Sequence, residues 1–99
     1  MYLNDIFLDN LPQIDLHGFD RESARVLTND FINEAISLGY KKIIIIHGIG
    51  TGIIKNAVHE TLSKNKYVLS YQLDSSNIGC TIVHINEKEK SKKSTDDSK

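Results

Sequence analysis

The segment Ile14-Asp15-Leu16-His17-Gly18 sets a carboxylate and an imidazole two residues apart. On an extended backbone that spacing puts both side chains on the same face. An ionised aspartate beside a histidine can orient the ring and favour its protonated form. Such a pair is suited to general acid–base work, including cleavage of a phosphodiester. The competing reading is that Asp15 accepts backbone N–H bonds at the following turn. A second His-Gly corner follows at Ile46-His47-Gly48-Ile49-Gly50-Thr51-Gly52. Gly48, Gly50 and Gly52 let backbone N–H groups converge on one point with no Cβ in the way. A helix starting just beyond them would add free N–H groups and a dipole that favours an anion. Phosphate is the natural candidate, with Thr51 as a hydroxyl donor and Lys55, one turn in, as a charge. A tight strand-to-helix turn can also need glycine for geometry alone. Arg21 and Arg25 could clamp phosphate, or pair with Glu22 and neighbouring acids.

Two familiar phosphate loops do not fit. A dinucleotide-binding fingerprint needs glycine where Ile53 stands, and a nucleotide P-loop needs Gly-Lys-Ser/Thr. Asp15, His17, His47 and His84 match no spacing typical of metal ligands. No metal site is therefore expected, beyond a loosely held divalent ion during cleavage. His84 shares a strand face with Cys80 and Ile82 and reads as a packed or edge histidine. His59 reads as exposed on a helix, and Cys80 as a small buried residue.

These residues need elements to hold them. Ile14 to Leu16 reads as a short strand, and Ile43 to Ile46 as a central strand buried on both faces. Asp20 can cap a helix whose stripe is Ala24, Leu27, Phe31, Ala35 and Leu38, widened by Ile32 and Ile36. Gly39 suits a left-handed stop. Ile54, Ala57, Val58 and Leu62 mark a second helix. Tyr67 to Leu73 and Cys80 to Ile85 read as strands joined by a loop short enough to force antiparallel return. The order is βαβαββ, and the helical connections predict parallel pairing of the first three strands through right-handed crossovers. The fold class is α/β, a two-layer or sandwich domain with a mixed four-stranded sheet. Both His-Gly corners then lie at the C-terminal edge of the strands, where open α/β sheets bind ligands.

The chain has 99 residues, enough for one domain that buries roughly two-thirds of its unfolded surface. Residues 1–10 read as an N-terminal extension and 11–86 as the domain. The charged stretch 87–99 reads as a disordered tail. The single cysteine excludes an internal disulfide and suits a reducing, cytoplasmic location. The N-terminus has neither the charge nor the apolar length of a signal peptide or membrane span. Net charge is −1, so bulk charge does not mark a nucleic-acid binder. Acids dominate residues 1–35, whereas Lys41, Lys42, Lys55, Lys64 and Lys66 face only Glu60 within residues 41–66.

Taken in order, Asp15-Leu16-His17-Gly18, His47-Gly48-Ile49-Gly50-Thr51-Gly52 and Asn77-Ile78-Gly79-Cys80-Thr81 resemble the motifs of the small MutS-related (Smr) domain family, over roughly residues 11–86. The resemblance implies a fold similar to the C-terminal half of bacterial translation initiation factor three. It implies nucleic-acid binding, often with endonuclease activity on RNA or DNA, in ribosome rescue or DNA repair and recombination. It assigns Asp15 and His17 as the catalytic pair. His47, Gly48, Gly50 and Gly52 would grip the backbone, and Gly79 and Thr81 belong to a third motif. Ile49 stands where the family usually has a basic residue. Lys55 stands where arginine is common, which forgoes bidentate phosphate contacts. Binding to nucleic acid or the ribosome without cleavage, and a protein-interaction role, are the alternatives.

Overall fold

Along residues 11–86, the part of the chain that the computed structural model describes, the elements are β1 (Gln13–Asp15), α1 (Arg21–Ser37), β2 (Lys42–Ile46), α2 (Ile53–Lys64), β3 (Val68–Asp74) and β4 (Asn77–Ile85). The expected extension and charged tail lie outside the described residues.

The helix ends follow from local chemistry. Asp20 caps α1, its carboxylate accepting the Ser23 N–H at 2.7 Å. At the other end Gly39 adopts φ +86. Its N–H bonds to Ile36 O, and Tyr40 N–H bonds to Ala35 O, which closes the helix in a Schellman motif. The buried stripe of α1 is Ala24, Thr28, Ile32, Ala35 and Ile36, with Leu27 and Phe31 packed at its margin. Leu38, expected in that stripe, is 67% exposed because the helix has already ended there.

The sheet has the order β1-β2-β4-β3. β1 and β2 pair in parallel, with Asp15 opposite Ile46. β4 runs antiparallel to both β2 and β3. The expected pairing of β2 with β3 is therefore corrected: the two share a direction, but β4 lies between them. The crossover through α2 carries β3 one position too far to pair, and the tight turn at Ser75-Ser76 sends β4 back into the gap. Both crossovers step the same way across the sheet, so right-handed connections put α1 and α2 on one face. The two helices pack against each other there.

This two-layer arrangement decides which face is core. Leu16, Ile43, Ile45, Val83 and Ile85 point into the helix layer and meet Ile32, Val58 and Leu62. Ile44 and Ile46, on the opposite face, are only half-buried. The central strand is thus buried on one face rather than two. No helix among the described residues is long and apolar enough to cross a membrane.

Candidate nucleic-acid interface

Adjacent parallel strands bring both His-Gly corners to one edge. Leu16 N–H bonds to Ile46 O at 2.6 Å, fixing their relative height. A cleft of ≈ 300 Å³ opens there, lined by His17, Gly18, the whole segment from His47 to Gly52, and Ile53, Ile54 and Lys55 of α2. Gly48 has φ +84, and a Cβ at that position would sit 3.3 Å from the His17 Cβ. The two corners therefore touch, and glycine is what permits it.

The imidazoles share this cleft but differ in environment. His17 is 70% exposed, and its Nδ1 lies 2.6 Å from Asp15 Oδ1. The same carboxylate oxygen accepts the His17 backbone N–H at 3.1 Å. Asp15 thus does both things considered for it: it holds the ring and it caps the turn. The His17 side-chain bond and then the backbone bond hold the Asp15 carboxyl below its ordinary value. With Nδ1 committed, Nε2 is the ring nitrogen left to face solvent.

His47 turns inward. It is 4% exposed, with Nδ1 2.9 Å from Gly48 O and Nε2 2.8 Å from Thr81 Oγ1. Burial lowers its pKa first, and Lys55 adds to the effect against the raising influence of the Gly48 carbonyl. His59 of α2 reaches the same hydroxyl through Nε2 at 2.8 Å. Its ring lies edge-on to His47 at 5.8 Å and against Tyr71 at 5.0 Å. His59 is accordingly half-buried, not exposed as expected. A signal was available: Lys55 and His59 are four residues apart and share a helix face, which puts His59 one turn beneath the cleft.

The loop beyond His47 is open. Gly52 starts α2 in a left-handed conformation and offers no side-chain cap, and the Ile53 N–H turns instead to the Thr51 hydroxyl. Thr51 is exposed, its hydroxyl 3.4 Å from Ile53 N. Gly50 has φ +20 with open space around it. Lys55 is half-buried and is the lysine of the cleft wall.

Other expected contact residues lie elsewhere. Thr81 is 0% exposed, so a direct contact with nucleic acid is corrected: its hydroxyl is enclosed between the two histidines. Gly79 is also buried. Its carbonyl accepts His47 N–H at 2.9 Å and Gly48 N–H at 3.0 Å, and a Cβ there would come within 3.5 Å of the Gly48 backbone. It supports the loop from behind rather than facing a ligand. Arg25 pairs with Glu22 and with Glu60, each at 3.2 Å. It lines a separate groove with Lys64 and Asn65, because its helical position directs it toward α2. Arg21 is exposed in the first turn of α1 and does not line the cleft. Cys80 is buried, which pushes its thiol up. Among the described residues no group of three or more His, Cys, Asp or Glu side chains could hold a metal ion.

A mixed βαβαββ sheet carrying an Asp-His pair and a His-Gly loop at one strand edge defines a small α/β domain with a glycine-lined cleft. The Smr domain profile matches residues 14–86. The chain belongs to the Smr domain family. It is 40% identical over 74 residues to the endonuclease MutS2 of Clostridium acetobutylicum, covering 75% of this chain and 9% of that protein. It is 46% identical over 61 residues to the endonuclease MutS2 of Aquifex aeolicus, covering 62% of this chain and 8% of that one. The chain thus corresponds to less than a tenth of those relatives' length. Its fold superposes on the crystal structure of the Smr domain of Thermus thermophilus MutS2 with a TM-score of 0.74 at 28% identity, covering 77% of this chain and 99% of that one. It also matches the fold of YdaL, a stand-alone small MutS-related protein from Escherichia coli, at a TM-score of 0.72 and 23% identity over 76% of this chain and 64% of that one.

Proposed function

We propose that this domain binds RNA or DNA at the His17–His47 cleft and cleaves a phosphodiester there. The observation that carries the proposal is the 2.6 Å Asp15–His17 bond at the rim of a cleft lined by loop glycines and Lys55. Neutral His17 donates Nδ1–H to the Asp15 carboxylate, which leaves Nε2 as a base facing outward. Nε2 takes the proton of a hydroxyl nucleophile, either water or the 2′-hydroxyl of RNA. That oxygen bonds to phosphorus, the bond to the leaving oxygen breaks, and the leaving oxygen takes a proton from water. The amides around Gly50 to Gly52 and the Lys55 ammonium stabilise the charge that builds on the phosphoryl oxygens. The names of the MutS2 relatives support the class of reaction.

Cleavage of labelled single- and double-stranded RNA and DNA, with and without chelator, tests this reading. Asp15→Asn and His17→Ala should each slow cleavage by about 10²–10⁴-fold. Unchanged cleavage in the double variant would reject the assignment, and the chelator arm decides whether a divalent ion takes part. A second reading, binding to nucleic acid or the ribosome without cleavage, is favoured by Ile49, which is 65% exposed at the cleft lip where a cation would strengthen the grip. Its signature is salt-dependent binding, weakened by Lys55→Ala, with no product.

A further inference from the structure

The hydroxyl of Thr81 sits 2.8 Å from Nε2 of His47 and 2.8 Å from Nε2 of His59. A threonine has one proton to give, so it cannot donate to both rings. The Gly48 carbonyl can only accept, so the 2.9 Å contact requires His47 to carry its proton on Nδ1. In the neutral ring Nε2 is then an acceptor, and Thr81 O–H must donate to it. The Thr81 oxygen is left to accept from His59, which must hold its own proton on Nε2. Burial favours the neutral form of both rings.

We infer that Thr81 and His59 are positioning residues: their ordered relay locks His47 in the Nδ1–H form and thereby aims the backbone amide of Ile49 into the cleft. The last step follows from peptide geometry. In a trans peptide the carbonyl and the following N–H point in opposite directions. Drawing the Gly48 carbonyl onto the buried His47 ring turns the Ile49 N–H away from the ring. Ile49 lines the cleft, and its N–H has no hydrogen-bond partner among the described residues. Gly48 can take this orientation because its φ is +84. The polarity of the chain, His59 to Thr81 to His47 to Gly48, is thus read out as one anion-facing donor. The tautomer claim is independent of what the cleft binds; only its consequence for affinity rests on the function proposed above.

The test pairs Thr81→Val, which keeps the volume and removes the hydroxyl, with Thr81→Ser, which restores it. Histidine ring nitrogen shifts from NMR near pH 7.5 report the tautomer. The wild type and Thr81→Ser should show His47 as Nδ1–H alone, and Thr81→Val should populate Nε2–H and shift the Ile49 amide resonance. Binding of a fluorescent single-stranded oligonucleotide should weaken roughly five- to tenfold in Thr81→Val, as for loss of one ordinary hydrogen bond, and recover in Thr81→Ser. His59→Leu gives a second route should Thr81→Val not fold: the Thr81 hydroxyl loses its ordering donor, and the His47 tautomers should again mix. An unchanged His47 tautomer and Ile49 amide in both Thr81→Val and His59→Leu would overturn the inference, as would a wild-type His47 protonated on Nε2. A wild type that binds no oligonucleotide but shows the expected tautomer change sinks the proposed function and upholds the relay.

Discussion

Gly48 shows how much of this site depends on one missing side chain. Alanine there would meet two obstacles: a left-handed backbone, which costs an L-residue about 1–2 kcal/mol, and the His17 Cβ at 3.3 Å. Gly48→Ala should lower Tm by about 4–8 °C for each kcal/mol lost, and should also move His17 and reduce cleavage. Gly39→Ala provides the control. Its φ of +86 carries the same backbone cost, but nothing lies within 4 Å of its Cβ position, and it sits at the far end of α1. Thermal melts of both variants should therefore fall, Gly48→Ala at least as far as Gly39→Ala, while only Gly48→Ala loses activity. Equal activity in both would show that contact with His17 does not matter to the site. At this scale the sequence was informative about Asp15, His17 and the glycines, whose types and spacing act locally. It was uninformative about Thr81, whose surroundings come from other elements, and for Arg25 it offered Glu22 on the same helix but not Glu60 on α2.

Two elements, α2 and β4, meet at the His47–Thr81–His59 contact, and this sets a pH dependence. Both histidines have pKa values below the ordinary 6.5 because burial disfavours their charged forms. As pH falls below 6.5 the unfolded chain takes up protons that the folded chain refuses, so stability falls. The loss ends once pH passes below the folded pKa values. Melting curves between pH 8 and 5 should show a Tm steady above about 6.5 and declining below it. His59→Leu should flatten part of that decline, since one of the two protons is no longer involved. Asp15, Asp20, Glu60 and Asp74 have lowered pKa values, so their contributions are lost only in more acid solution, below their ordinary values of 3.8 to 4.5. The helix boundaries, by contrast, were legible in advance. Asp20 and Gly39 act through bonds to residues three or fewer positions away, and such signals survive in the bare sequence.

Packing among the described residues leaves one conspicuous defect. Thr28 of α1 is fully buried, and its hydroxyl has no hydrogen-bond partner among the described residues. A buried unpaired hydroxyl costs about 1–3 kcal/mol. Thr28→Val keeps the shape and removes the penalty, so Tm should rise by about 4–8 °C for each kcal/mol regained. A fall in Tm would mean that the hydroxyl is satisfied in solution. Thr28 lay outside the apolar stripe read from the sequence, because a threonine counts as polar until packing reveals how α1 is rotated.

What the chain determined unaided was its local grammar: strands from isoleucine runs, helix ends from Asp20 and Gly39, and a His-Gly corner at the end of each of two strands. Those features depend on neighbours within about one helical turn, and they sufficed to point to the Smr family. Only the folded molecule decided that β4 enters between β2 and β3, that Gly79 and Thr81 act from behind the loop, and that Arg25 is consumed by Glu60. Each of these joins residues far apart in sequence, and such pairings are set by which faces both layers can bury together rather than by the preference of any one segment.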